Sequence, residues 1–403
     1  MLNSNNFFYD SAFNLKKYKK NFSKTKKIFK SFKEDFENFE IPLLQSYKED
    51  YIYDFSKNTI KKFSKYKNIV IIGMGGSVLG SKAIYSFFKK KIKKKVFFFD
   101  NLDINLHLKF KKISNIKNSC FIVVSKSGNT LETIFNLSTI FSKSLLRNKL
   151  IIISEIKDNS LIDIANILKA DIIEHKDFIS GRYSVFSEAG MLPAALMGLN
   201  INKFKNLKKI INNKKFVSCL IKNVAGIYTL STKGIRNSVI LNYNSIYNDL
   251  GHWYQQLVAE SLGKSGKGIT PILSEAPKDH HSLLQLYLDG PKDKFFTFFS
   301  SSKVTKKYKA SKSLIPKNMK YLKNKNLEFI VKTQCNATKN IFKSQKIPYR
   351  HFSFNKNNER ELGMIFTFFV LETILLARLL KVNPFNQPAV ELIKAETKKI
   401  LLK

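Results

Sequence analysis

The sequence predicts an α/β protein made of two tandem doubly wound αβα domains with parallel sheets, an N-terminal helical arm and C-terminal helices. Three observations carry that expectation. From residue 66 onward, short and wholly apolar runs alternate with helical stretches. Strands of a parallel sheet read this way because crossover helices cover both of its faces. The rhythm breaks at 200–216, where Asn200, Asn202 and a Lys/Asn run intervene, and then resumes. A chain of 403 residues also exceeds one ordinary core and suits two. The expected divisions are 1–50 for the arm, 51–210 and 211–380 for the two domains, and 381–403 for a C-terminal helix that completes the functional site.

Residues 1–50 are polar and Lys-rich, dotted with aromatics, and have weak helical periodicity. In the first domain the apolar runs at Asn68–Gly73, Val96–Phe99, Cys120–Val124 and Leu150–Ile153 predict four strands. Helices are expected over about 79–88 and 130–144. In the second domain the strand candidates are Ser238–Leu241, Gly268–Ile272, Phe295–Phe299 and Leu327–Val331, with the last sixty residues largely helical.

The bulk numbers narrow the function. Lys+Arg number 70 against 30 Asp+Glu, a net charge of +40, yet only six residues are arginine. A reader of base edges uses arginine for bidentate contacts, so a lysine excess spread over the whole chain argues against nucleic acid as the partner. The field would still attract small anions. Cys120, Cys219 and Cys335 form no CxxC pair, which fits a reducing, cytoplasmic compartment. Residues 1–20 hold no secretory apolar core. Leu362–Leu380 is nearly apolar and about as long as a membrane span, but Glu372 and Arg378 interrupt it, so a buried helix is expected and no membrane partner.

Six segments carry chemistry. Gly73-Met-Gly-Gly-Ser-Val-Leu-Gly80 follows a predicted strand and opens a helix, so that its glycines let the backbone approach a ligand and aim N–H groups at an anion, a tight turn being the alternative. The spacing matches neither a dinucleotide fingerprint nor a P-loop. At a second strand end, Ser125-Lys-Ser-Gly-Asn-Thr130 places the hydroxyls of Ser125, Ser127 and Thr130 and the charge of Lys126 before a helix start, a phosphate cradle without a metal. Ser180-Gly-Arg-Tyr-Ser184 fixes Arg182 where a guanidinium could stabilise an oxyanion, a structural ion pair being the alternative.

Trp253, Gln256, Leu257 and Glu260 lie at i, i+3, i+4 and i+7, which puts Glu260 on a packed helix face, suited to a general base or to an ion pair. Asp279-His280-His281 offers a histidine acid or base; adjacent histidines cannot share a helix face, so zinc is not expected. In Asn383-Pro-Phe-Asn-Gln-Pro388 through Lys394, Asn386 reads as an N-cap with Pro388 in the first turn. Gln387 and Lys394 are two turns apart and can face one site, although most lysines in this chain are simply exposed.

In this order, GGSxLG, SKSGxT, GRYSxxS, QLxAESLGK, HSxLQLxxDGP and NPFxQPxVExxK resemble the glucose-6-phosphate isomerase family in its shorter bacterial form, from about residue 66 to 396. The resemblance implies two sugar-isomerase (SIS) domains and the reversible conversion of glucose 6-phosphate to fructose 6-phosphate through a cis-enediol, with no cofactor and no metal. It implies that Gly76, Ser77, Ser125, Lys126, Ser127 and Thr130 surround the phosphate. Glu260 would be the base and Arg182 the stabiliser of the enediolate. His281 and Lys394 would assist ring opening with Gln387 nearby. It further implies a homodimer in which the histidine comes from the neighbouring subunit. Relatives usually have Gln before that histidine, whereas this chain has His280, so His280 stands as the alternative to His281. A bifunctional phosphoglucose/phosphomannose isomerase and a non-catalytic sugar-phosphate sensing module are the competing readings.

Overall fold

The structure, a computed structural model, describes residues 3–6, 15–111, 116–140, 142–302 and 308–403. Its strands are β1 (Asn3–Asn6), β2 (Asn68–Gly73), β3 (Lys95–Phe99), β4 (Ser119–Val124), β5 (Leu150–Ser154), β6 (Asp171–Glu174), β7 (Asn237–Asn242), β8 (Thr270–Glu275), β9 (Lys294–Ser301) and β10 (Tyr349–Phe354). The helices used below are α1 (Leu15–Glu37), α2 (Gly76–Phe88), α3 (Leu131–Ile140), α4 (Lys214–Ser231), α5 (Asn248–Leu262), α6 (Leu327–Ser344), α7 (Glu359–Leu380) and α8 (Val390–Leu401).

The two sheets repeat one plan. The first runs β3-β2-β4-β5-β6 and is wholly parallel. The second runs β8-β7-β9-β10-β1, with the same order for its four parallel strands. Its fifth place is taken by β1, antiparallel to β10 with Asn3 opposite Ser353, where the first sheet has parallel β6. The second sheet is therefore not purely parallel as expected, and the N-terminal arm supplies its edge. In this strand order the winding direction reverses between the first and third strands, and ligands bind beyond the carboxyl ends there. In the first sheet that point is β2/β4, where Gly73 is paired with Val124.

Helices α2 and α5 face each other between the sheets, and one continuous core holds Val78 and Ile84 together with Leu250, Trp253 and Leu257. Helix α7 is long and apolar enough to cross a membrane, but 89% of its apolar window is buried inside the chain, so it serves as a core helix, with Phe366 edge-on to Trp253 at 4.6 Å. The arm joins the second half of the molecule. Helix α1 packs on α4 and α7, Asn21 Nδ2 donates to Thr229 Oγ1 at 2.8 Å, and Arg378 pairs with Asp35 at 2.6 Å.

One strand expectation fails. Leu327–Val331 begins α6 and does not form a strand: Asn326 accepts the Phe329 N–H at 2.8 Å as an N-cap, and Cys335, Thr338 and Phe342 are buried at helical spacing. The strand that extends the sheet is β10, whose Arg350 and His351 hide it from a search for apolar runs. The helix expected over 130–144 ends at Ile140, and a short helical turn, Lys143–Leu146, follows.

Candidate active site

The Gly73–Gly80 loop and the Ser125–Thr130 loop stand side by side because their strands are adjacent. Gly75 takes a φ of 53°, and α2 begins after it without a side-chain cap. Gly76 is required by the chain itself. A Cβ there would lie 2.2 Å from the carbonyl carbon of Gly181 and 2.6 Å from the nitrogen of Arg182. Its smallness thus docks the start of α2, with Ser77 in its first turn, onto the Gly181–Phe186 turn that carries Arg182. Ser184 Oγ secures the joint by donating to the carbonyls of Gly181 (2.8 Å) and Gly76 (3.2 Å).

In the second loop Ser125 Oγ and Thr130 Oγ1 are 2.8 Å apart, and Ser127 Oγ accepts the Asn129 N–H at 3.3 Å, with helix α3 following. Ser77, Ser127 and Thr130 keep some exposure, whereas Ser125 is buried. Lys126 is committed elsewhere. Its ammonium donates to the carbonyl of Asp177 at 2.5 Å and lies 3.7 Å from Glu155, which ties the loop to the segment leading into Arg182.

Arg182 and Glu260, 78 residues apart in the chain, meet here. The guanidinium is 1% exposed and uses every N–H it has. Nε donates to Ser261 Oγ at 2.9 Å. Nη1 donates to Glu260 Oε2 at 2.9 Å and to Gln387 Oε1 at 2.8 Å. Nη2 donates to the carbonyls of Pro384 at 2.5 Å and Asn386 at 3.1 Å. Tyr183 OH lies 2.9 Å from Ser261 Oγ and donates to Pro384 O at 3.2 Å. Glu260 itself is 30% exposed, and its other oxygen accepts Gln256 Nε2 at 2.8 Å. Gln256 in turn touches the glycine loop, since a Cβ on Gly75 would come within 2.8 Å of its amide nitrogen. A carboxylate with one oxygen on a buried cation and the other on a neutral amide, at the mouth of a sheet's reversal point, can accept a carbon-bound proton while the cation faces the developing oxyanion.

Gln387 therefore joins the site. Asn386 does not cap α8, which starts at Val390 with no side-chain cap. Lys394 is exposed and donates to Glu391 at 2.7 Å, away from these contacts. Of the two histidines, His280 is half-buried, with Nε2 2.8 Å from Tyr243 OH and its ring edge-on to Tyr243, and burial lowers its pKa. His281 is exposed on the Lys278–His281 turn. The sequence reading gave no role to Ser261, Tyr183, Lys264 or the carbonyls of Pro384 and Asn386. Ser261 stands inside the AES motif and was legible; a carbonyl leaves no mark on side-chain identity.

A family model for phosphoglucose isomerase matches residues 53–274, the span from before the glycine loop to β8. Among curated relatives, glucose-6-phosphate isomerase of Methanocaldococcus jannaschii is 34% identical over 365 residues, 87% of each chain. The same-named protein of Campylobacter jejuni is 29% identical over 87% of this chain and 89% of its own. Among solved structures, a hypothetical protein from Thermus thermophilus superposes over the whole of both chains with a TM-score of 0.85 at 21% identity. A glucose-6-phosphate isomerase from Chlamydia trachomatis superposes with a TM-score of 0.68 at 18% identity, over 85% of this chain and 71% of its own. At those identities the two structures speak for the fold, and the sequence matches speak for the lineage. With the paired loops and the Arg182–Glu260 couple in the matched span, the chain belongs to the phosphoglucose isomerase family.

Proposed function

We infer that this chain interconverts glucose 6-phosphate and fructose 6-phosphate, as the names of its relatives say of them, and that it does so by moving one proton between C2 and C1 of the open-chain sugar. The observation that carries the reading is the contact of Glu260 with buried Arg182, 2.9 Å long and open to solvent on the carboxylate side. Glu260 takes the proton from C2 of the aldose. The C–H electron pair becomes the C1–C2 double bond, and the carbonyl oxygen gains the charge. The same carboxyl then delivers its proton to C1 while the carbonyl re-forms at C2 and the hydroxyl proton passes from O2 to O1. A proton beside a carbonyl is far too weakly acidic for a carboxylate unless the oxyanion is stabilised as it forms. Arg182 supplies that charge. Its Nη1 partners, Glu260 and Gln387, are the side chains around it that keep a face toward solvent, so the Nη1 bonds are the ones a sugar oxygen can exchange. Ser77, Ser125, Ser127, Thr130 and the uncapped start of α2 would receive the phosphate, with Lys126 holding the loop in place.

Ring opening is assigned to His281 and Lys394, and the reading includes a homodimer that shares its sites. Support comes from what the single chain leaves outside. His281 is exposed, and every residue of α8 is exposed, Leu392, Ile393, Ile400 and Leu401 among them. His281, not His280, is the member free to meet a partner's substrate, because His280 is held by Tyr243. Three cysteines outside any disulfide, two of them buried, fit a cytoplasmic enzyme of sugar-phosphate metabolism.

The test is a coupled assay on purified protein with fructose 6-phosphate and a chelator present, following glucose 6-phosphate. Turnover is the expected result. Equal turnover of mannose 6-phosphate would widen the substrate class to the bifunctional enzyme. Sugar phosphate bound without turnover would overturn catalysis in favour of sensing.

A further inference from the structure

Directly after the base-bearing helix α5 the chain makes a hairpin of four residues, Lys264 to Lys267. Lys264 N–H donates to Lys267 O at 3.2 Å, and Lys267 N–H returns to Lys264 O at 2.9 Å. The two residues between them, Ser265 (φ 51°) and Gly266 (φ 69°), both have positive φ, the requirement of the tightest two-residue hairpin turn. Such a backbone has little freedom, and it sends its two lysines to different helix ends. Lys264 Nζ donates to the carbonyls of Glu260 at 2.5 Å and Ser261 at 2.9 Å, in the last turn of α5. Lys267 Nζ donates to the carbonyl of Leu380 at 2.9 Å, the last residue of α7.

The last carbonyls of a helix lack partners within the helix and carry its negative end, so an ammonium there satisfies both needs. What matters is which two helices these are. Helix α5 presents Glu260 and Ser261, which hold Nη1 and Nε of Arg182. Helix α7 runs on, through Lys381, into the stretch whose Pro384 and Asn386 carbonyls and Gln387 side chain hold the rest of that guanidinium. The base and the clasp of the oxyanion stabiliser thus come from separate helices, each fastened at its end by a lysine of the same rigid turn.

We propose that the Lys264–Lys267 hairpin is a positioning element for proton transfer, keeping the ends of α5 and α7 in one register so that Glu260 and Arg182 stay aligned. This rests on the isomerase reading above. Lys264 also senses the site. The charged groups facing it are Arg182 and Glu260, and burial together with Arg182 pulls its pKa down to about 8 while Glu260 pulls the other way. Its donation to the helix end therefore weakens as the medium turns mildly alkaline.

The experiment compares Lys264→Met, Lys264→Arg, Lys267→Met and the Met/Met double variant with the unaltered chain. In the assay, Lys264→Met should lose about tenfold to hundredfold in kcat with KM changed less than about twofold, the size a small misplacement of reacting groups produces. Lys264→Arg should recover most of the loss. The alkaline limb of kcat near pH 8 should vanish in Lys264→Met and move upward in Lys264→Arg. Because the lysines act as one device, the double variant should lose less than the product of the single losses. Amide hydrogen exchange supplies a readout that needs no turnover: protection should fall together in 259–263 and in 383–387 when either lysine is replaced. The proposal is overturned if exchange in those segments is unchanged, or if the variants lower only the melting temperature and keep kcat and its pH profile. Failure of the isomerase reading would look different, with the unaltered chain itself inactive and the exchange coupling intact.

Discussion

The molecule buries two arginines completely, and they do opposite things. Arg350, in β10, faces Glu372 of α7 in a two-pronged pair, with Nη2 at 3.0 Å from Oε1 and Nη1 on Oε2. Its Nε donates to Thr297 Oγ1 at 2.9 Å, and both members of the pair are at most 1% exposed. Arg182 is as deeply set, but its carboxylate partner is 30% exposed and shares the guanidinium with a glutamine. The difference lies in the partner. A carboxylate sealed against a cation can only hold the fold together, whereas one with a free face can exchange the cation for a substrate oxygen. Depth makes both arginines rigid and weakly hydrated; the opening beside one of them makes it chemical.

That contrast can be broken most sharply from the carboxylate side. Glu260→Gln should lower kcat on the order of 10⁴-fold, the upper end of what a general base contributes, while leaving fructose 6-phosphate affinity nearly unchanged. Steady-state kinetics with isothermal titration checks both halves, and near-normal turnover would remove the base assignment. Glu372→Gln should do the reverse. It leaves Arg350 buried without its counter-charge, which costs about 3–5 kcal/mol of stability by urea denaturation, while the folded fraction keeps its kcat.

Acid should weaken both halves of the molecule alike. His351, beside Arg350, is lowered to about 4 by burial and by Lys339; His175, just past β6, is lowered to about 4 by burial first. Both are neutral when folded at neutral pH and take up a proton more readily when unfolded. Stability is therefore full above about pH 6.5 and lost as pH falls toward 4, roughly 3 kcal/mol for each histidine. Replacing either with Asn should flatten the slope of unfolding free energy over that window; an unchanged slope would show that the histidine is not held neutral. Gly76→Ala reaches the Arg182 guanidinium through the backbone, because the new methyl meets Gly181 and Arg182. A forced shift of that turn should lower kcat about tenfold to hundredfold. Full activity would mean that the turn yields without moving the guanidinium.

The two arginines also show what the chain disclosed in advance. Arg182 was legible because it follows a glycine and precedes a helix start in a chain with only six arginines. Arg350 was not, because the pattern Tyr-Arg-His-Phe-Ser-Phe interrupts the apolar run by which a buried parallel strand is recognised. Glu372 interrupts the long apolar helix visibly in the sequence, but its cause, Arg350, stands 22 residues away in a strand that carries no apolar run. Strands β2, β4 and β5, buried at every position, announced themselves. Four-residue β6 and β1 carry too little pattern to do so. Within the site, the motifs named Glu260, Arg182 and Gln387 one by one, and the structure puts the three side chains in contact. The backbone carbonyls that clasp Arg182, and the commitment of Lys126 to Asp177, depend on chain crossings that spacing does not encode.

The edge strand β1 has a consequence for how the molecule is made. Asn3 leaves the ribosome long before its partner Ser353, since almost the whole of both sheets lies between them in the chain. Helix α1 likewise waits for α4 and α7. At about 5–20 residues per second, the arm spends on the order of half a minute without its native neighbours. For that interval the first sheet can assemble on its own strands, whereas the second stays open at one side until β10 has been synthesised. Of the two strands that close that edge, translation delivers β1 first, and folding has no place for it until the other arrives.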